Sequence, residues 1–356
     1  MFMIEEAIKK IVAGKDLTLE EAKKVFLEIL ENKVSGVLIA SFLIGLKMKG
    51  EKEEEILGAS LVAREKARKI NVREGLLGGK LDDEPVVDTC GTGGSGVEKF
   101  NISTAVAFVV SSANIRVVKH GNRAISSSSG SADVLEALGI DINASKEVMK
   151  EAIKKLGIGF LYAPLYHEAF KSVASIRKEI GIRTIFNILG PLCNPALPDY
   201  QLLGVSGRDL VYKMVRVLKR LDLKRAFVVF GDKVKDEVSI MGRTEVAFLD
   251  KRKINKFNIF PSHFGLKRCK LKDIEAKTVQ DSAKIIMDIF NSKRGPCRDI
   301  VLANASCCFY LLGKVGNFKE GVELASQLID SGKVKDKYIK FRDFLEKNKI
   351  KGYLNA

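Results

Sequence analysis

The sequence predicts an α/β protein: a small all-helical N-terminal domain packed on a larger domain with a mostly parallel central sheet flanked by helices. Two observations carry this prediction. The first 70 residues have helical periodicity throughout, and from residue 85 onward short apolar runs of strand length alternate with helical segments. Such alternation is typical of a parallel sheet covered on both faces. We therefore expect a helical domain over 1–72, joined by helices from about 164–182, and an α/β domain over 73–356.

The N-terminal segment contains clear helix boundaries. In LTLEEAKKVFLEILE, Thr18 has the position of an N-cap and Glu21, three residues later, completes a capping box. Two further helices follow, SGVLIASFLIGLKMKG and EEEILGASLVAREKARKI, and Gly50 between them is a typical stop signal. The apolar run at 37–46 is too short to cross a bilayer, so we expect a buried helix there.

Five apolar runs of the second region are predicted strands: PVVDTC, NIRVVKHG, IGFLYAP, YQLLGVS and RAFVVFG. Helical periodicity follows in STAVAFVVSSA, SADVLEALG and RDLVYKMVRVLKRL, and again in the C-terminal TVQDSAKIIMDIF and VLANASCCFYLLG. Parallel sheets bind their ligands at the carboxyl ends of the strands. The loops after these strands are therefore the expected position of a functional site.

Composition narrows the function classes. The chain of 356 residues has six cysteines without a CxxC pair and three histidines, which argues against a zinc site and favours reduced cysteines in the cytoplasm. The start MFMIEEAIKK carries acids where a signal peptide needs basic residues, so we expect no membrane partner. The net charge of +16 suggests a phosphate-rich small molecule or nucleic acid, although a lysine-rich solvated surface also explains it. The absence of Trp argues against stacking on single strands.

The first loop of interest, DTCGTGGSGVEKFNIST at 88–104, holds four glycines within six positions. It matches GxGxxG, but a dinucleotide site would need a carboxylate about 20 residues further on. The next strand ends instead in Lys119, His120 and Asn122, and the GKS or GKT of a nucleotide-binding P-loop is missing. The remaining interpretation is a phosphate cradle of backbone N–H groups that leads into a helix N-terminus near Ser103. A simple helix cap at Asn101 or Ser103 is the alternative.

A second loop, KHGNRAISSSSGSADVLEALG, repeats the arrangement of strand, hydroxyl-rich loop and helix. Asp133 and Glu136 can form the capping box of the helix, which leaves the serines at 126–131 free. Lys119 and Arg123 add positive charge. A serine run alone is usually a flexible loop. Because both loops follow predicted strands of a parallel sheet, they predict a ligand with two phosphate groups joined by a sugar.

Two further features suit such a ligand. Asp236 and Glu237 follow the strand RAFVVFG, and a pair of carboxylates with phosphates and water is a typical Mg²⁺ site, with a solvated loop as the alternative. In SVASIRKEIGIRTIFNILGPLCNP, Arg177 or Arg183 can bind a carboxylate in bidentate fashion, whereas the spacing alone favours a basic surface helix.

These pieces, in this order, resemble the anthranilate phosphoribosyltransferase family, and the resemblance spans essentially the whole chain. The segments that carry it are DTCGTGGSG, FNIST, KHGNRAISS, SGSADVLEALG, RKEIGIRTIFNILGPLCNPA, DEVS and VLANAS. The resemblance implies a fold of the nucleoside phosphorylase/phosphoribosyltransferase type and homodimers paired through the helical domains. It also implies an enzyme of tryptophan biosynthesis. Such an enzyme transfers the 5-phosphoribosyl group from phosphoribosyl pyrophosphate to the amine of anthranilate, with Mg²⁺ as cofactor and pyrophosphate as product.

Carried over position by position, the resemblance assigns three groups of residues. The donor-binding residues are Gly91, Thr92, Gly93, Gly94, Ser95, Lys99, Asn101, Ser103, Thr104, Lys119, Ser127, Ser128 and Ser131. The anthranilate-binding residues are Gly91, Asn122, Arg177, which faces the carboxylate, and His120, which lines the entry path. The Mg²⁺ ligands are Ser103, Asp236 and Glu237. No residue is assigned as an acid or base, because the implied chemistry depends on positioning and charge stabilisation.

Four positions depart from the family pattern. Ser95 stands where Asp is usual, Ser128 where Lys or Arg is common, Glu168 where Pro is usual and Val234 where Gly is usual. The departures keep two alternatives open: a related phosphoribosyltransferase or nucleoside phosphorylase with another acceptor, and a nucleic-acid-binding relative of the same fold. Because the site motifs mostly stand, we expect small-molecule substrates and no nucleic acid.

Overall fold

A computed structural model describes residues 3–73, 84–124 and 129–354, the last five of these by their backbone alone. Four helices form an N-terminal bundle: α1 (Met3–Val12), α2 (Leu19–Leu30), α3 (Gly36–Lys49) and α4 (Glu53–Lys66). The predicted capping box is confirmed, since Thr18 Oγ1 accepts the Glu21 N–H and the Glu21 carboxylate accepts the Thr18 N–H. Gly50, with a φ of 87°, ends α3 as predicted.

Seven strands in the described residues form one sheet: β1 (Val86–Gly91), β2 (Arg116–Gly121), β3 (Ile158–Tyr162), β4 (Tyr200–Gly204), β5 (Arg225–Gly231), β6 (Thr244–Asp250) and β7 (Lys253–Ile259). Their order is β3-β2-β1-β4-β5-β6-β7. The first five are parallel, as the sequence predicts, and β6 and β7 continue the sheet as an antiparallel extension. The strand order changes direction at β1, and ligands of open α/β sheets bind at such a point.

The remaining helices connect and cover the sheet: α5 (Ile102–Ser111), α6 (Ser131–Ala137), α7 (Lys146–Leu156), α8 (Ala163–Tyr166), α9 (Lys171–Ile180), α10 (Phe186–Leu189), α11 (Arg208–Arg220), α12 (Val279–Phe290), α13 (Pro296–Leu311), α14 (Phe318–Asp330) and α15 (Lys333–Leu354). None of the helices in the described part is both long and apolar enough to cross a membrane.

Alternate residues of the strands enter two separate cores, one on each face of the sheet. On β5, Phe227 and Val229 join the core shared with α5, α12 and α13, whereas Ala226 and Val228 join the core shared with α11 and the N-terminal bundle. Val173 of α9 is buried in this second core, and α9 packs on α2 and α3. The bundle therefore lies against one face of the sheet, with α9 beside the carboxyl ends of the strands.

Candidate active site

A cavity of about 280 Å³ lies at the carboxyl ends of β1 and β2, between the glycine loop, the acidic loop after β5 and α9. It brings together most of the residues that the sequence predicts for the site. The predicted residues that line it are Gly91, Thr92, Gly93, Gly94, Ser95, Lys99, Asn101, Ser103, Lys119, His120, Asn122, Ser131, Arg177, Asp236 and Glu237. Thr104 does not line the cavity, and Ser127 and Ser128 lie outside the described residues.

The glycine loop is anchored at its start to β4. The Thr92 N–H donates to the Gly204 carbonyl at 2.9 Å, and Thr92 Oγ1 accepts the Ser206 N–H at 3.0 Å. Beyond this anchor the backbone takes left-handed φ values of 62° at Gly93 and 61° at Gly94, which side chains other than glycine rarely adopt. The glycines are therefore required by the backbone path along the cavity.

The N-terminus of α5 faces the same cavity. Asn101 Oδ1 accepts the Thr104 N–H at 3.2 Å, so Asn101 caps the helix and lines the cavity at once. The Thr104 side chain is 1 % exposed, because its position in the first turn turns it into the core rather than toward the cavity. The free N–H groups of this first turn favour an anion in the cavity.

A buried lysine lies beneath this helix start. Lys119 is 4 % exposed, and its Nζ donates to the Thr89 carbonyl and, at 2.9 Å, to Ser103 Oγ. Burial lowers the pKa of Lys119, and the neighbouring charge of Asp88 opposes the change. Lys119 also lines the cavity, and the charge of Asp88 favours its protonated form beside the predicted phosphate site.

The acidic pair closes the opposite side of the cavity. Asp236 Oδ1 accepts a hydrogen bond from Lys99 Nζ at 2.8 Å. Burial raises the pKa of Glu237 to about 8; the charge of Asp236 adds to the rise, while Lys99 opposes it. A Cβ on Gly204 would lie 1.8 Å from the Asp236 carbonyl oxygen, so the acidic loop approaches β4 closely only because residue 204 is glycine.

The residues present fit a magnesium ion rather than a metal held by protein ligands alone. No cluster of three or more His, Cys, Asp or Glu able to hold a metal occurs in the described ranges. Two carboxylates and a nearby hydroxyl are instead the kind of partial ligand set that Mg²⁺ completes with water and substrate phosphates. A buried carboxylate with a raised pKa also gains from an added cation.

The side of the cavity formed by α8 to α10 is aromatic and largely uncharged. His120 and His167 are buried with their rings 5.0 Å apart, and His167 stacks on Phe170 at 5.1 Å. Burial lowers the pKa of His120 to about 3 and that of His167 to about 4. His120 Nδ1 lies 3.0 Å from the Gly190 carbonyl, and neither Nε2 has a hydrogen-bond partner among the described residues.

Arg177 is the cation of this side. Its guanidinium lies over the Phe186 ring at 5.3 Å, and burial lowers its pKa. The guanidinium makes no hydrogen bond or ion pair with the residues that the structure describes. A desolvated guanidinium beside aromatic rings, with its donors unpaired among the described residues, suits a planar anion.

Arg123 does not add a free charge to the site, contrary to the prediction. Its guanidinium donates to Asp133, Glu136 and the Tyr162 hydroxyl. Asp133 also accepts the Gly130 N–H at 2.9 Å, so it caps α6 while Glu136 pairs with Arg123. Asp133 and Glu136 of α6 therefore neutralise the charge of Arg123.

Three of the four departures from the family pattern lie in the described residues. Ser95 Oγ accepts a hydrogen bond from Lys99 at 3.1 Å. Because the serine is uncharged, Lys99 forms its ion pair with Asp236 and not with residue 95. Glu168 is largely exposed and faces Arg68 at 3.7 Å. Val234 is fully buried in the core below the acidic loop.

Arg183, the predicted alternative to Arg177 for binding a carboxylate, is a second cation whose contacts differ from the prediction. Arg183 does not reach inward for a carboxylate; it donates to the carbonyl oxygens of Gly93 and, at 3.2 Å, Thr92. Phe186 and Asn187 also line the cavity without having been predicted. The segment RTIFNILGP that carries all three was recognised, but its side-chain directions depend on tertiary contacts.

Comparisons with known proteins agree with this geometry. Residues 83–335 match a family model described as "Glycosyl transferase family, a/b domain", and residues 5–67 match "Glycosyl transferase family, helical bundle domain". The anthranilate phosphoribosyltransferase of Persephonella marina is 46% identical over 96% of this chain and 99% of that protein. The enzyme of the same name from Petrotoga mobilis is 43% identical over 96% of this chain and 98% of its own length.

Solved structures that superpose on this chain carry the same enzyme name as these relatives. The crystal structure of anthranilate phosphoribosyltransferase from Thermus thermophilus superposes with a TM-score of 0.87 and 37% identity over 96% of this chain and 99% of that one. The Saccharomyces cerevisiae enzyme in complex with PRPP and Mg superposes with a TM-score of 0.84 and 27% identity over 97% of this chain and 98% of that one.

Proposed function

The chain belongs to the anthranilate phosphoribosyltransferase family, and we infer that it transfers the 5-phosphoribosyl group of phosphoribosyl pyrophosphate to the amine of anthranilate, with release of pyrophosphate. This is a glycosyltransferase reaction of tryptophan biosynthesis. The observation that carries the inference is that one cavity joins a glycine loop at a helix N-terminus, a pair of acids and an unpaired arginine beside aromatic rings. The three elements suit, in turn, a pyrophosphate, a divalent cation and an aromatic carboxylate.

The donor is proposed to lie across the glycine loop and the start of α5. The backbone N–H groups of the loop and of the first helical turn supply hydrogen bonds to phosphate oxygens, and Lys119 adds a cation from below. Negative charge grows on the pyrophosphate as its bond to the ribose breaks. Fixed donors in a partly closed cavity stabilise that charge without reorganisation in the transition state.

The cation site is proposed to consist of Asp236, Glu237 and Ser103, directly or through water. When bound there, Mg²⁺ would supply Lewis-acid neutralisation of the leaving pyrophosphate. The acids hold charge at the cavity wall, and Lys99 keeps Asp236 in place from the other side. The yeast relative was solved in complex with PRPP and Mg, which supports this assignment.

The acceptor is proposed to bind with its carboxylate on Arg177 and its ring among His120, His167 and Phe170. Both imidazoles stay neutral, so this wall does not compete with Arg177 for the carboxylate. Asn122 also lines the cavity, and its amide is proposed to hold the amine toward the anomeric carbon. Orientation of the two reactants is then the main contribution to the rate.

A homodimer paired through the helical domain is proposed from the exposed face of α3. Val37 and Met48 are 76 % and 84 % exposed, and eleven residues, or about three turns, separate them on one helix face. Met48→Glu should shift the solution mass from dimer to monomer in light scattering, whereas Lys314→Glu on the other domain should not. A monomeric wild type would contradict the proposal.

We further propose that residues 1–72, with helices from about 164–182, form the helical domain and 73–356 the α/β domain. The packing of α9 on α2 and α3 supports this division. A cytoplasmic location is proposed because all six cysteines are free.

The transfer reaction is tested directly by mixing the chain with anthranilate, phosphoribosyl pyrophosphate and Mg²⁺. We expect loss of anthranilate fluorescence with equimolar release of pyrophosphate, and neither in an Asp236→Ala, Glu237→Ala variant. Unchanged fluorescence at every Mg²⁺ concentration would contradict the function. Phosphate-dependent cleavage of a nucleoside would favour a phosphorylase instead. Salt-sensitive DNA or RNA binding that the double variant retains would favour a nucleic-acid-binding relative.

A further inference from the structure

Arg183 occupies an unusual position for an arginine near a phosphate site. It follows the end of α9, which Gly181 closes, and precedes α10. Its Nη1 donates to the Gly93 carbonyl and its Nη2 to the Thr92 carbonyl at 3.2 Å. The guanidinium therefore bridges two consecutive peptide groups of the glycine loop instead of facing the cavity as a free cation.

The loop leaves space for this guanidinium at one residue. A Cβ on Gly94 would lie 1.3 Å from Arg183 Nη1 and 2.4 Å from Cζ, so any side chain at position 94 would displace the arginine. Gly94 also has a φ of 61°. The glycine thus serves both the backbone path and the close contact with Arg183.

The direction of the two carbonyls fixes the direction of two N–H groups. In a trans peptide the C=O of one residue and the N–H of the next point to opposite sides, and no described peptide bond is cis. Because Arg183 holds the carbonyls of Thr92 and Gly93, the N–H groups of Gly93 and Gly94 point away from it. Both glycines line the cavity, and neither N–H has an acceptor among the described residues.

We propose that Arg183 is a positioning residue that presents the N–H groups of Gly93 and Gly94 to the pyrophosphate of the donor. It acts through the loop and does not touch the substrate. The planar fork matters because Nη1 and Nη2 each hold one of the two carbonyls in a fixed relative geometry, which the single, freely rotating ammonium of a lysine does not reproduce. The same segment carries Arg177 on the acceptor side, so it spans both halves of the cavity. This inference rests on the proposed function.

The test compares the two substrates in Arg183→Ala. Loss of two charge-assisted hydrogen bonds should raise KM for phosphoribosyl pyrophosphate about tenfold or more, while KM for anthranilate changes less than about twofold. Arg183→Lys keeps the charge and loses the fork, so its donor KM should stay close to that of the alanine variant. Equal rises for both substrates, or full recovery in the lysine variant, would overturn the proposal.

The matched control is Arg225→Ala. Arg225 also donates to two consecutive carbonyls, those of Tyr310 and Leu311, but it does not line the cavity. Its loss should lower the melting temperature and leave both KM values near wild type. A donor KM that rises as much in this control as in Arg183→Ala would show that the effect is general loosening, and would overturn the proposal.

A second variant keeps the inference testable if Arg183→Ala folds poorly. Gly94→Ala should displace the guanidinium, so it should weaken binding of pyrophosphate with Mg²⁺ more in the wild type than in the Arg183→Lys background, which lacks the fork already. Additive effects in calorimetry would overturn the coupling. If the wild type does not transfer the phosphoribosyl group, the proposed function is wrong. The role of Arg183 is still decided by this pyrophosphate titration, which does not depend on transfer.

Discussion

Arg177→Ala should separate acceptor binding from donor binding. The guanidinium is free of hydrogen bonds among the described residues and rests on the Phe186 ring at 5.3 Å, so its donors are available for a ligand. Two charge-assisted hydrogen bonds to a carboxylate are worth about 1.5–3 kcal/mol each, and partial exposure favours the lower end. The sum of about 3 kcal/mol corresponds to a rise of about 100-fold in KM for anthranilate.

Initial rates with each substrate varied in turn give both constants. KM for phosphoribosyl pyrophosphate should stay within about twofold, because the donor loop does not contact Arg177. Lys178→Ala, one residue further along α9 and exposed, is the control and should change neither constant. Equal rises for donor and acceptor in Arg177→Ala would mean that the carboxylate binds elsewhere.

Three further predictions concern the charges and the core. His120 and His167 have folded-state pKa values of about 3 and about 4, below the unfolded value of about 6.5. As pH falls from about 6.5 toward 4, the two histidines take up protons only in the unfolded chain. Their contribution to the free energy of unfolding is therefore fully present above about pH 6.5 and drops by about 2 kcal/mol per histidine at about pH 5. Denaturant unfolding of a variant with both histidines changed to Gln should show a flatter pH profile. Asp236→Asn, Glu237→Gln should raise the Mg²⁺ concentration for half-maximal rate about tenfold or more, since the carboxylates proposed to bind the cation are removed. An unchanged Mg²⁺ requirement would exclude the acids as ligands. Phe108→Ala should cost about 3–5 kcal/mol in denaturant unfolding, because this ring is 1 % exposed and packs among aromatic rings of α12 and α15; a loss below about 1 kcal/mol would contradict the packing.

Local signals in the sequence were sufficient for the elements that frame the site. The Thr18 cap, the stop at Gly50 and the five parallel strands all follow from residue types at fixed short spacings. The hairpin of β6 and β7 was not predicted, because β7, at the edge of the sheet, is mostly exposed and KINKFNI lacks a clear apolar face. Strand assignment at an edge depends on the neighbour more than on the sequence of the strand.

Side-chain partners within the site were predicted less well than its location. The sequence predicted that Arg123 adds charge to the second phosphate loop and that Arg183, like Arg177, can bind a carboxylate. In the structure Arg123 pairs with acids of α6, and Arg183 binds carbonyls of the glycine loop. Both outcomes depend on contacts between segments distant along the chain. The sequence also did not predict that His120 and His167 are neutral, since their burial, which lowers the pKa of both, depends on the fold.

The most direct test of the account is a crystal structure of the chain with pyrophosphate, Mg²⁺ and anthranilate. We expect pyrophosphate against the N–H groups of Gly93 and Gly94, the cation beside Asp236 and Glu237, and the anthranilate carboxylate on Arg177. Pyrophosphate bound away from the glycine loop, or a cation that leaves both acids unligated, would contradict the account.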